Sequence, residues 1–142
     1  MIFVIDACVA VKWYLDEPQS EEAHALLLGQ HTLLAPVHAL GEIGHVLLKR
    51  FRKEEINRDQ FDRAIKGVLR TVAFLPIVDF IEEAVHVAAE TDQSFYDAIY
   101  VAAAVHSNGV LITTDERLLL GLQSTRWASR SVALSEAVSP RA

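Results

Sequence analysis

Four acidic side chains, Asp6, Glu42, Asp97 and Asp115, stand at positions from which they could act together. Asp6 directly follows the short apolar run Ile2–Ile5, and Asp115 comes two residues after a second run, Val110–Thr113. Both runs read as buried strands, and open parallel sheets bind ligands beyond the carboxyl ends of their strands. Glu42 lies in a segment of helical period between Leu40-Gly41 and Ile43-Gly44, where a solvated charge has no evident purpose. Asp97 is three residues past Ser94, a helix-capping residue type. Four carboxylates at one sheet edge repel each other, and some members would titrate upward. A divalent cation removes that cost, and Mg²⁺ takes its oxygens from one or two carboxylates plus waters and phosphates. Each acid also has a local reading. Ser94-Phe95-Tyr96-Asp97 fits a capping box, Asp115 can cap the helix it opens, and Asp6 can cap a helix containing Val9, Val11 and Lys12. Spacing alone leaves a shared metal site and a set of caps both open.

The elements that must position these acids alternate between short apolar runs and helix-period segments. Strands are expected at Ile2–Ile5, 32–35 (stopped by Pro36), 72–78, Val110–Thr113 and 131–134. Pro76 places the third of these at a sheet edge. Helices are expected from a Ser20 cap to about Leu28, over 37–52, after an Asn57 cap with Phe61, Ile65, Val68 and Leu69 as its apolar stripe, over 80–92, from Ser94 to about Ser107 with Asn108-Gly109 closing it, and over 115–120. This alternation predicts an α/β fold, a parallel sheet with helices on both faces.

The chain has 142 residues and is 51% hydrophobic, which suits one domain over 1–142 with a full core. No apolar run reaches the length of a membrane span, and Met1–Ile5 meets Asp6 with no basic leader, so neither an anchor nor a signal peptide is expected. The single cysteine, Cys8, excludes an internal disulfide framework and points to a reducing compartment, the cytoplasm. Net charge is −6, yet between Lys49 and Arg70 eight basic residues face four acidic ones, leaving the rest of the chain at −10. Such a segment could meet phosphates, with Arg63, Lys66 and Arg70 as contacts. It could equally be a solvated face with i,i+4 pairs Asp59–Arg63 and Asp62–Lys66.

At the acids the sequence resembles the PIN-domain family, in particular VapC-like toxins of toxin–antitoxin pairs. Val4-Ile5-Asp6-Ala7-Cys8-Val9-Ala10-Val11-Lys12-Trp13 matches the opening strand and first acid, and Leu34-Ala35-Pro36 followed by Glu42-Ile43 matches the second block. Phe95-Tyr96-Asp97-Ala98-Ile99-Tyr100-Val101-Ala102-Ala103-Ala104 is similar to the third block and the most specific, and Leu111-Ile112-Thr113-Thr114-Asp115-Glu116-Arg117-Leu118 to the fourth. The resemblance implies a three-layer α/β/α sandwich and a Mg²⁺-dependent endoribonuclease in which Mn²⁺ can substitute. It implies Asp6, Asp97 and Asp115 as metal ligands, Glu42 as the fourth acid, acting through water, and Thr113 as a polar helper. A homodimer and a cognate antitoxin partner are implied as well. One departure stands out: Gly41 replaces the bulky residue that many relatives place before the second-block acid.

Three other readings compete. His38, Glu42 and His45 share a helical face and could bind Zn²⁺, although they lack the H-E-x-x-H form and suit an ordinary amphipathic helix. A phosphoryl-transfer domain would want a second acid two residues after Asp6, where Cys8 stands, or a Gly-rich phosphate loop, and neither is present. A non-catalytic PIN-fold partner-binding subunit would have no need of four repelling acids. Cys8 itself reads as a small core residue rather than a nucleophile.

Overall fold

Short apolar runs that all point the same way must be joined by crossovers, and the helical segments between them supply these. The computed structural model describes residues 1–138. Its strands are β1 (Ile2–Ile5), β2 (Thr32–Pro36), β3 (Ala73–Leu75), β4 (Val110–Thr113) and β5 (Ser131–Ala133). They form one sheet in the order β3-β2-β1-β4-β5, every neighbouring pair parallel. Val4 at its centre pairs with Leu34 on one side and Leu111 on the other.

Between β1 and β2 run α1 (Ala7–Ala10), a 3₁₀ turn (Val11–Trp13) and α2 (Ser20–Leu28). Between β2 and β3 run α3 (His38–Arg52) and α4 (Arg58–Thr71). A 3₁₀ turn (Ile77–Phe80), α5 (Ile81–Glu90) and α6 (Phe95–Ser107) lead to β4, and α7 (Glu116–Leu122) and α8 (Leu134–Val138) flank β5. From β1 the chain steps outward to β2 and β3, then crosses back and steps outward the other way through β4 to β5. Right-handed crossovers therefore put the first helices on one face and the later ones on the other. The packing agrees: α3 lies against β2 and α1, while α6 lies across β1, β2 and β4 beneath α5. The three-layer α/β/α architecture with a parallel sheet is the one expected. The strand order reverses between β1 and β4, and at such a switch point a crevice opens at the carboxyl ends of the strands. Asp6 and the Thr113–Asp115 turn leave the sheet from these two strands.

Sheet and helices bury a continuous core of Val4, Ile5, Ile43, Leu47, Leu111, Ile112, Leu118 and Leu122, among others. Every residue from Ala98 to Ala104 is buried, so α6 is a helix enclosed on all sides, with small alanines allowing close approach to the sheet. Asn108, at φ 55°, closes α6, and the Gly109 amide bonds the Ala104 carbonyl at 2.8 Å. Asn57 caps α4 in a full capping box with Gln60. No helix among the described residues is long and apolar enough to cross a membrane.

Several expectations need correction. Ser20 is the first residue of α2 rather than its cap: the cap is Gln19 at φ 70°, and the Ser20 hydroxyl instead accepts from Glu17 N–H and donates to the Leu15 carbonyl. β2 includes Pro36, because pairing continues to Leu75 and the next amide, Val37, bonds the Leu75 carbonyl. The third strand does lie at an edge, but it keeps only Ala73–Leu75, since Pro76 turns the chain into a 3₁₀ turn. In α4, Ala64 and Val68 face inward and Leu69 is exposed, being rotated off that face. Asp62 pairs with Arg58 at 3.2 Å rather than with Lys66, while Asp59–Arg63 forms as expected at 2.9 Å.

Candidate active site

Thr113, fully buried at the end of β4, organises one half of the site. Its hydroxyl donates to Asp6 Oδ2 at 2.7 Å and accepts from the Asp115 amide at 3.0 Å. Asp6 Oδ1 accepts weakly from Cys8 N–H at 3.4 Å, which makes Asp6 the cap of α1 as well. Asp115 caps α7, its Oδ1 accepting from the amides of Arg117 and Leu118 at 3.0 and 3.2 Å. The local reading of these two acids, as helix caps, is the one these bonds show, and each cap fixes one carboxylate oxygen.

Tyr100 organises the other half. Its buried hydroxyl donates to Glu42 Oε1 at 2.7 Å and accepts from Ala7 N–H at 3.2 Å, joining α6, α3 and the start of α1. His38 Nε2 lies 3.4 Å from the same Glu42 oxygen. Glu42 remains substantially exposed, so its carboxylate reaches solvent from a fixed base. Asp97 sits one turn before Tyr100 on α6. Ser94 caps that helix by accepting from the Asp97 amide at 3.1 Å, but the return bond of a capping box is not formed. The Asp97 carboxylate instead lines a depression of about 560 Å³ with Asp115, Gln93, Ser94 and Arg117.

The electrostatics follow from this packing. Burial pushes the Asp6 carboxyl above its usual range, against the hydrogen bonds of Thr113 and Cys8, and the Glu42 charge adds to the rise. Asp97 is raised in the same way, by burial first and by Asp115 in addition, with the Ser94 hydroxyl opposing. His38 is held neutral by burial, against the pull of Asp6 and Asp97. The Cys8 thiol accepts from Thr114 Oγ1 at 3.2 Å, and burial together with Asp6 pushes it up to about 11. It therefore stays protonated at neutral pH, as expected of a packing residue and not of a nucleophile.

The four predicted acids couple in two pairs, Asp6 with Glu42 and Asp97 with Asp115. Among the described residues, however, no three His, Cys, Asp or Glu side chains converge into a ready-made cage. His38, Glu42 and His45 do not form one either: the His38 ring is packed between Tyr96 and Tyr100, and neither of its nitrogens makes a hydrogen bond. An all-oxygen donor set of paired, repelling carboxylates suits a hard cation that keeps part of its water shell, as Mg²⁺ does. Arg63, Lys66 and Arg70 lie exposed on α4. Arg63 is tied to Asp59, whereas among the described residues Lys66 and Arg70 have no ion pair.

A match to the PIN domain pattern spans residues 3–120. The chain belongs to the PIN domain family. No curated protein matches it. Solved structures share the fold at low identity. A toxin–antitoxin complex from Klebsiella pneumoniae is 17% identical at a TM-score of 0.65, covering 92% of this chain and 96% of that one. VapBC2 from Rickettsia felis, solved with a DNA fragment from its promoter, is 14% identical at 0.69, covering 94% and 98%. VapC20 of Mycobacterium tuberculosis, described as a toxin cleaving the sarcin–ricin loop, is 20% identical at 0.64, covering 83% and 92%.

The tie made by Tyr100 in this PIN domain has no sequence signal, since the residue falls within an apolar helical run. The same holds for the Glu17 carboxylate, which bridges the nearly buried Lys12 and Arg50 and anchors α3 to the turn after α1. Tyr100→Phe leaves the Ala7 amide and a Glu42 oxygen without their partner. It is expected to cost about 1–3 kcal/mol in urea unfolding, at unchanged m-value.

Proposed function

We propose that this PIN domain is a metal-dependent endoribonuclease, the toxin of a toxin–antitoxin pair, with Asp6, Glu42, Asp97 and Asp115 as its working acids. The observation that carries the reading is the hydroxyl wiring at the switch point. Thr113 joins Asp6 to the Asp115 backbone and Tyr100 joins Glu42 to the residue after Asp6. A scaffold without chemistry gains nothing from holding repelling carboxylates at these fixed positions, so the non-catalytic alternative accounts for less.

Asp6, Asp97 and Asp115 would hold Mg²⁺, or Mn²⁺ in its place. The cation would supply a lowered pKa for bound water and neutralise charge on the phosphate. Thr113 keeps one Asp6 oxygen fixed. Glu42, anchored by Tyr100 yet open to solvent, orients the attacking water on the scissile phosphorus. The leaving 3′ oxygen departs in line with that water, which leaves a 5′-phosphate on the downstream fragment. The likeness to toxin–antitoxin structures supports an antitoxin partner. A homodimer belongs to the same proposal, and the reducing environment suggested by Cys8 fits a cytoplasmic site of action.

Of the eight basic residues in 49–70, Arg50, Arg58 and Arg63 form ion pairs among the described residues, that of Arg63 with Asp59 being exposed on both sides, so Arg63, Lys66 and Arg70 on α4 are available to a phosphate backbone. Neutralising Arg63, Lys66 and Arg70 together is expected to weaken RNA binding and flatten its salt dependence, read by anisotropy at several salt concentrations. Unchanged binding would remove this surface from the account. Cleavage itself is tested by incubating the antitoxin-free protein with total cellular RNA, in Mg²⁺ or EDTA, beside Asp97→Asn. New 5′-phosphate ends that need both Mg²⁺ and Asp97 support the reading. Cuts that survive EDTA and the substitution, or no cuts at all, count against it.

A further inference from the structure

Beside the acids lies a groove of about 480 Å³ lined by His38, Gly41, Glu42, His45, Val46 and Tyr96. Positions 38, 41, 42 and 45 form one face of α3. The opposite wall is Tyr96 in the first turn of α6, 65% exposed and directly before Asp97. The Tyr96 ring is backed by His38, with centroids 5.7 Å apart and planes tilted by 32°. His38 in turn meets the buried Tyr100 edge-on at 4.8 Å. A ring-on-ring stack therefore steadies Tyr96 from behind while the tyrosine stays largely open to solvent. Across from it, a Cβ built on Gly41 would meet nothing within 4 Å. Packing does not require glycine there, so the space beside Gly41 is open to an occupant.

We propose that this groove receives a nucleobase of single-stranded RNA next to the phosphate held at the acids, with Tyr96 as the stacking platform and Gly41 leaving room for the base. The inference rests on the nuclease reading above. Three features favour this occupant. The groove shares Glu42 with the acid site, and Tyr96 adjoins Asp97, so an RNA strand placed at the acids has its neighbouring nucleotide here. The Glu42 charge repels a phosphate but accepts from an exocyclic amino group. An exposed, pre-ordered aromatic face is the element on which single-stranded RNA stacks its unpaired bases.

Tyr96→Ala removes the platform and Gly41→Leu fills the groove. Neither disturbs the core, and Gly41→Leu should hold or raise the unfolding midpoint because it adds helix propensity. The probe is a short single-stranded RNA carrying one 2-aminopurine, moved position by position, with Ca²⁺ in place of Mg²⁺ for binding and Mg²⁺ for turnover. The wild type should quench the fluorophore at one position. Both variants should lose the quench and raise KM roughly tenfold, with kcat little changed, while Tyr96→Phe keeps both properties. Quenching and KM that are the same in the wild type, Tyr96→Ala and Gly41→Leu would overturn the proposal. So would altered self-association in the variants with RNA binding unchanged, which would assign the groove to a protein partner. Tyr96-dependent quenching without cleavage by the wild type upholds the subsite and sinks the nuclease reading. Cleavage without such quenching does the reverse.

Discussion

Asp6→Asn is expected to lower RNA cleavage by roughly a hundred- to a thousandfold while raising the unfolding midpoint of the metal-free protein. The two effects share one cause. Asp6 is held largely out of water beside Glu42, and its folded pKa lies above the usual carboxylate range. The native state therefore binds the Asp6 proton more tightly than the unfolded chain does. The resulting stabilisation is present below the unfolded pKa and is lost as pH rises through the folded one. At neutral pH the ionised group is a net cost to folding that a cation would offset and a neutral amide would not incur. Asparagine serves equally well as a cap for α1, and its amide group can bond the Thr113 hydroxyl. Thermal unfolding in EDTA and initial rates in Mg²⁺ check the two halves together. A variant that loses activity because it unfolds would show both quantities falling, which is the opposite signature. Sites that trade stability for chemistry in this way are a recurrent feature of enzymes.

Leu111→Ala should cost about 2–5 kcal/mol and lower the midpoint by roughly 10 °C. Leu111 is fully buried on β4, pairing with Val4 and Ser131 inside the sheet. Its strand is hydrogen-bonded to β1 on one side and β5 on the other and cannot shift to close the gap, so most of the cavity should persist. Because Thr113 lies two residues on, the same variant should also lower activity more steeply with temperature than the wild type. Urea unfolding of both proteins, followed by circular dichroism, gives the free-energy difference directly.

What could be read from the residues alone differed by element. Asp6 and Asp115 are legible because one directly follows a β-branched apolar run and the other comes two residues after one, and a chain of such runs separated by helical periods leaves little freedom beyond a parallel sheet. Thr113 was legible only through its resemblance to relatives. Tyr100 was not, because an aromatic in an apolar helix reads as packing until α3 and α6 are seen to meet across 58 residues. The Asp97 capping box is an equal reading from spacing, and only half of it forms, the Ser94 hydroxyl accepting from the Asp97 amide. Gln19 took the cap position from Ser20 by adopting a left-handed backbone that glutamine rarely uses. Asp62 had cations one turn away on either side, and spacing could not choose between Arg58 and Lys66. These misses share a cause: each depends on which of two nearby groups the tertiary packing leaves within reach.

The central claim is that these acids gather a divalent cation. The most direct test is a Mn²⁺ titration followed by the loss of the free-ion paramagnetic resonance signal, comparing the wild type with an Asp6→Asn, Asp97→Asn double variant at the same high protein concentration. The account predicts saturable binding to the wild type, displaced by excess Mg²⁺ and lost in a double variant that remains folded. Equal binding by both proteins, or none by the wild type, would contradict it.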